Sequence, residues 1–228
     1  MRPGDVVVEV GPGRGALTRR LLAGADRVVA VELDSRLAAR LPERCGHPRN
    51  LQVIHGDILA CDFRSLVGNL PENQAVVTGN LPYYITSPIL RSVCKEHRAL
   101  RTATFLVQEE VADRIVAGPG SRAYGFLSCL CSLHGRPEKL FAVPPEAFAP
   151  PPRVRSAVVR LELRADAPPA GLESFLCTCF RHPRKMLRNN LAGSYPRARL
   201  RADTCSGLRA QQLGLDELTL LWRRLERM

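Results

Sequence analysis

Four short motifs carry residue types that can do chemistry together. Glu9-Val10-Gly11-Pro12-Gly13-Arg14-Gly15 lies where a valine run gives way to a helical pattern. Glycines at such a turn let a ligand approach the backbone, and the helix start offers free N–H groups. No GK[ST] follows, so this is not a P-loop, and the spacing is GxGxG rather than the dinucleotide GxGxxG. That suits a nucleoside ligand without a pyrophosphate, held at Gly11 and Gly13; a merely tight turn is the alternative. Val31-Glu32-Leu33-Asp34 closes the next apolar run. Glu32 there can accept both hydroxyls of a ribose, or it is a solvated loop acid. Gly56-Asp57-Ile58 follows a third run. Asp57 can accept from an adenine amino group with Ile58 against the ring, or it can simply cap a turn.

The fourth motif, Gly79-Asn80-Leu81-Pro82-Tyr83-Tyr84, is the most specific. Moving a methyl group onto an exocyclic amine needs acceptors that hold the amine and align its lone pair. The Asn80 side-chain oxygen and a backbone carbonyl fixed by Pro82 do this without a strong base, and an adjacent aromatic can stack on the base.

These motifs need a scaffold that brings strand ends together. Val6–Val10, Val28–Val31, Leu51–Ile54, Ala75–Val77 and Thr104–Val107 read as strands. Helical patterns near 16–23, 35–44 and 88–95 alternate with them, which implies a parallel sheet covered by helices. The motifs then fall at the C-terminal ends of consecutive strands, where open α/β sheets bind ligands. Leu140–Val143 and Ala157–Leu163 flank a proline-rich loop and read as a closing antiparallel pair. The segment Arg164-Ala165-Asp166-Ala167-Pro168-Pro169-Ala170-Gly171 is the linker candidate, and helical spacing follows over 172–180 and 216–228. The expected division is residues 1–165 and residues 170–228.

At 228 residues the chain has room for one full domain and a small appendage. No apolar run reaches the roughly 18 residues of a membrane span, and the N-terminus has no signal-peptide pattern, so a cytoplasmic protein is expected. There are 33 Lys plus Arg against 22 Asp plus Glu, a net charge of +11, and only Lys95, Lys139 and Lys185 are lysines. Arginine suits phosphate, but a GC-rich genome raises arginine too, so charge alone leaves both readings open. From Arg181 to Ala202 seven cations occur without an acid, among them Arg181, Arg184, Lys185 and Arg188. Such a block supplies phosphate affinity or forms a solvated face. The eight cysteines form no CxxC pair and the five histidines no cluster, so no metal site is expected.

The chain resembles the ribosomal RNA adenine dimethyltransferases. The likeness rests on VEVGPGRGALT, VELD, GDIL and GNLPYYITSPIL, then FLVQEEVADRIVAGPGSRAYGFLS, VPPEAFAPPPRVRSAVVRL and FRHPRKMLRNNL, which span nearly the whole chain in the family's order. NLPYYITSPIL and RKMLRNNL look like the housekeeping small-subunit (KsgA-type) branch. The resemblance implies an α/β, Rossmann-like S-adenosylmethionine-dependent methyltransferase domain with a small C-terminal all-helical domain that grips ribosomal RNA. It implies that Gly11, Glu32, Asp57 and Asn80 contact S-adenosyl-L-methionine. Asn80 and the Leu81 carbonyl would hold the target amine, Tyr83 would stack on the flipped base, and Phe148 would close its other face, unless Phe148 is a core aromatic. The implied partner is ribosomal RNA in the small subunit or its precursor, with no membrane and a monomeric enzyme. The rival expectations are a large-subunit (23S) macrolide-resistance methylase, and a non-catalytic RNA-binding or transcription factor on the same fold. Members of the family carry a segment with a QNFL-like motif ahead of strand one that covers the cofactor. This sequence begins near strand one, from which an uncovered cofactor and slow methylation are expected.

Overall fold

The structure is a computed structural model, and it describes residues 2, 4–68, 70–71, 74–82, 85–96 and 98–226. Two compact units divide the chain, Met1–Ala112 with His134–Ala167, and Asp113–Leu133 with Pro168–Met228. The crossing at 167/168 falls inside the linker candidate. The 113–133 segment, expected in the first domain, clusters instead with the C-terminal residues.

The first unit is built on one seven-stranded sheet in the order β3-β2-β1-β4-β5-β7-β6. Its strands are β1 (Val6–Val10), β2 (Arg27–Glu32), β3 (Leu51–His55), β4 (Ala75–Asn80), β5 (Leu100–Gln108), β6 (Gly135–Val143) and β7 (Ser156–Leu163). The first five run parallel; β7 inserts antiparallel between β5 and β6. Every residue of β1 is buried, and so are Val28–Glu32 of β2. That is why these central strands read as continuous valine runs rather than alternating ones.

The helices of this unit are α1 (Ala16–Leu22), α2 (Ser35–Arg44), α3 (Phe63–Val67) and α4 (Thr86–Lys95), followed by α5 (Glu109–Val116), which crosses the unit boundary. Short polar side chains set the starts of α2 and α3. Asp34 Oδ1 accepts the Arg36 and Leu37 N–H groups at 2.8 and 3.1 Å and so caps α2, and Asp62 caps α3 in the same way. Leu21 of α1 and Ala25 pack on Val7 and Val28.

The order of strands reverses between β1 and β4, which makes their C-terminal ends the topological switch point. The register sets those ends level, with Val10 opposite Val31 on one side and Gly79 on the other, and Asn80 opposite Leu106. β4 is longer than its sequence pattern indicates, because Gly79 and Asn80 belong to the strand rather than to the loop after it. A Cβ on Gly79 would run into the Val10 carbonyl, so glycine lets the two strands pair to their ends.

The second unit is helical: α6 (Phe126–His134, but for its last residue), α7 (Leu172–Cys179), α8 (Leu187–Asn190), α9 (Arg197–Ala202) and α10 (Leu215–Glu226). Its core holds Tyr124, Leu133, Phe175, Leu176, Leu187, Leu200, Leu218 and Leu221. The Tyr124 and Phe180 rings meet edge-on at 5.8 Å.

Candidate active site

A cavity of about 730 Å³ opens at the switch point, lined among others by Glu9, Gly11, Gly13, Arg14, Asn80 and Val143. Its size is that of small-molecule sites. The β1–α1 turn forms one wall. Gly11, Gly13 and Gly15 have φ of 64, 58 and 81°, a left-handed region open to glycine at little cost. A Cβ on Gly11 or Gly13 would meet no protein atom within 4 Å, so backbone conformation, not crowding, requires glycine there. The space is left for a ligand.

Glu32 ends β2 and is 7% exposed. One carboxylate oxygen accepts the Gly13 N–H at 2.9 Å and the other accepts the Asp34 N–H at 3.0 Å. The acid is therefore not a solvated loop group. It is oriented by the turn beside it, and each oxygen keeps a lone pair.

Asp57 is exposed, and its Oδ1 accepts the Leu59 N–H at 2.9 Å, capping the short turn Ile58–Ala60. The capping role weighed for it is present, and its other oxygen has no partner among the described residues. Ile58 is 6% exposed, which leaves little of it to face a ligand. Asn80 is exposed at the end of β4, Leu81 is buried with its N–H on the Leu106 carbonyl at 3.1 Å, and Pro82 is exposed. The Pro82 carbonyl accepts the Ile85 N–H and the Thr86 hydroxyl, which ties the loop to the start of α4. Tyr83 lies outside the described residues. Phe148 is half-buried after the turn Pro145–Ala147 and is no member of the buried core; its neighbour Ala149 lines the cavity.

Sequence reasoning missed Glu9 as a site residue. It is 1% exposed and lines the cavity, and its Oε2 has no hydrogen-bond partner. Burial pushes its carboxyl up to about 7; the Thr18 hydroxyl, which faces it without completing a hydrogen bond, works against that, and the nearby charge of Glu32 adds to it. The available signal was an acid inside a strand that otherwise reads as fully buried, where an ionised carboxylate is costly.

The basic block belongs to the second unit. Arg181, Arg184, Lys185 and Arg188 are all exposed. A cleft of about 530 Å³ is lined by Arg188, Asn189, Arg197 and Arg201 with Ala192 and Leu200. The loop 181–186 is pinned from below: Asn190 Nδ2 donates to the Cys179 and His182 carbonyls at 2.8 and 3.2 Å, and Met186 bridges Arg209. Among the described residues no group of three or more His, Cys, Asp or Glu is placed to hold a metal ion, and no helix is long and apolar enough to cross a membrane.

The sequence matches the family described as "Ribosomal RNA adenine dimethylase" over residues 1–213. It is 44% identical over 231 residues to "Ribosomal RNA small subunit methyltransferase A" of Acidobacterium capsulatum, covering 96% of this chain and 81% of that protein. Among solved structures, a dimethyladenosine transferase from Plasmodium falciparum superposes with a TM-score of 0.83 at 24% identity, covering 100% of this chain and 92% of that one. The 23S rRNA methyltransferase ErmE superposes with a TM-score of 0.70 at 29% identity, over 99% and 93% of the two chains.

Proposed function

The chain belongs to the ribosomal RNA adenine dimethylase family, and we propose that it transfers two methyl groups from S-adenosyl-L-methionine to the N6 amine of adenine in small-subunit ribosomal RNA. The observation that carries this reading is that Asn80, Gly11 and Gly13 line one cavity at the switch point, with the Glu32 carboxylate fixed on the Gly13 amide.

S-adenosylmethionine supplies a methyl group on a sulfonium, already a good leaving group. The donor set fits it. Glu32 has lone pairs for the ribose hydroxyls, Asp57 has an oxygen with no partner among the described residues for the adenine amino group, and the glycine turn leaves room for a close approach. In the proposed mechanism the Asn80 side-chain oxygen and the Leu81 carbonyl accept hydrogen bonds from the two N–H groups of the target amine. Its lone pair is then directed at the methyl carbon, and Pro82 holds the loop. Positioning of this kind lowers the barrier by several kcal/mol, about 7–11 at best. An adenine amine inside a stacked helix is out of reach, so the base must be extruded; Tyr83 and Phe148 are the aromatics assigned to its two faces. Arg181, Arg184, Lys185 and Arg188 bind phosphates of the same RNA. The enzyme acts as a monomer in the cytoplasm, where ribosomal subunits assemble.

A non-catalytic RNA-binding role would not need an Asn-Leu-Pro loop beside a nucleoside-sized cavity. The 44% identity to a small-subunit enzyme, against 29% to a 23S enzyme, favours the small subunit. The test is incubation with undermethylated small subunits and labelled S-adenosylmethionine, followed by nucleoside mass analysis. Dimethyladenosine is expected in small subunits and not in large ones. Label only in the large subunit, or none in either, would overturn the reading.

A further inference from the structure

We propose that the cleft between α8 and α9 holds one unpaired nucleotide of the RNA substrate, with the phosphate on its arginines and the base on its apolar floor, an inference that rests on the RNA reading above. The cleft has a volume of about 530 Å³, within the range of sites that take a small ligand. It lies wholly in the second unit, and none of its lining residues belongs to the cationic loop 181–186.

Its charge is not neutralised from within. Arg197 opens α9 and Arg201 follows one turn later, so the two share a face of the helix. Arg188 of α8 lines the same cleft. All three are exposed, and none pairs with an acid among the described residues. The acids of neighbouring segments are engaged elsewhere. Asp203, directly after α9, accepts from Arg224 of α10 at 2.7 Å, and Glu226 accepts the Tyr195 hydroxyl at 2.7 Å. Arg199, between the two cleft arginines in sequence, donates instead to the Leu225 carbonyl at 2.6 Å. Like charges four residues apart destabilise a helix, and α9 has only six residues to offset that. A bound anion relieves the repulsion, and the arginine fork matches the oxygens of a phosphate.

The rest of the lining is more than a phosphate needs. Leu200 is 1% exposed and gives the cleft, with Ala192, an apolar floor. Asn189 brings a side-chain amide with no hydrogen-bond partner among the described residues, which offers two donors and an acceptor to a base edge. Apolar surface, guanidinium planes and an amide beside phosphate donors are the parts by which unpaired bases are recognised. A duplex keeps its bases stacked inside and presents a ridge of phosphates, which would leave Leu200 and Asn189 unused. One unpaired nucleotide uses every group. Stacking of a single base contributes roughly 5- to 150-fold in affinity, so the cleft should favour single-stranded over duplex RNA.

The test is fluorescence anisotropy of the full chain with single-stranded hexauridylate and with a short RNA duplex; uridine keeps the adenine site out of the measurement. Ala192→Leu fills the cleft from an exposed position and changes no charge. It should lower hexauridylate affinity by about fivefold or more and leave duplex affinity within about twofold. An abasic strand with the same phosphates should bind wild type and variant alike. Arg197→Gln with Arg201→Gln should make the salt slope for hexauridylate shallower by about 1, with no loss of thermal stability, since it removes a repulsion. Ala192→Leu weakening both RNAs alike or neither, or a double variant of lower stability with an unchanged slope, would overturn the inference. Uridine monophosphate binding as tightly as the hexamer would make this a site for a free nucleotide and overturn the assignment to RNA. None of these readouts uses methyl transfer, so such failures leave the methyltransferase reading intact. A wild type that binds neither RNA would overturn both.

Discussion

The Glu32 carboxylate grips the glycine turn that it faces: one oxygen takes the Gly13 N–H at 2.9 Å and the other the Asp34 N–H at 3.0 Å. The same side chain thus sets the turn and presents acceptors to a ligand. Glu32→Ala should weaken S-adenosylmethionine by about 1.5–3 kcal/mol, the scale of a hydrogen bond to a charged group. Glu32→Gln should be nearly as harmful, because one of its two ends becomes a donor facing a donor. Calorimetry on the two variants checks this, and a fully active Gln variant would show that the turn does not depend on Glu32.

Asn80 stands in the cavity wall, in the first unit, while the cationic loop 181–186 stands in the second. Chemistry and phosphate binding should therefore separate. Asn80→Ala should abolish methyl transfer and leave RNA affinity within about twofold, since the amide meets one amine while affinity comes from many phosphates. Single-turnover methylation and filter binding on the same subunits measure the two. Near-normal turnover would remove Asn80 from the mechanism.

The β1–β4 contact sets the geometry of that wall. In Gly79→Ala the new methyl group meets the Val10 carbonyl, a backbone atom that cannot swing aside. The strands must part at their C-terminal ends, at about 1–3 kcal/mol for overpacking. Thermal unfolding should show the loss, and cofactor affinity should fall with it because Gly79 also lines the cavity.

Much of this could be read from residue order because the physics was local. The valine runs of β1 and β2 place apolar residues on both faces since both faces are buried, with Glu9 and Glu32 as the exceptions. Asp34 signals a helix start by its own capping bonds, and the glycines mark a turn of positive φ. Helix α6 was not legible, because its Phe-Leu-Ser-Cys-Leu-Cys-Ser-Leu-His run is apolar nearly all round and leaves no amphipathic period to detect. Nor was its place in the second core, which depends on partners forty residues away such as Leu172 and Phe175. Among the candidate site residues, Glu32 and Asn80 stand out in the sequence by type and spacing. Glu9 does not, because its character comes from burial and from the charge of a residue on another strand.

Asn190 was equally hidden, and it offers a way to separate loop support from loop charge. It is buried, and its amide donates to the Cys179 carbonyl at the end of α7 and to the His182 carbonyl in the cationic loop. Asn190→Ala strands the Cys179 carbonyl, while the His182 carbonyl keeps the Lys185 N–H at 2.9 Å, with a loss of about 1–3 kcal/mol in stability. The loop that carries Arg181, Arg184 and Lys185 should then loosen without losing any charge. RNA affinity should fall by only a few fold, and the slope of log affinity against log salt should stay unchanged, because the same counterions are released. Arg184→Glu with Lys185→Glu should do the reverse: stability near wild type, since both side chains are exposed, and a salt slope shallower by about 2. Chemical denaturation and salt-dependent binding of the two variants give the comparison. A shallower slope in Asn190→Ala would mean that the loop's position, not its charge alone, sets how many phosphates are met.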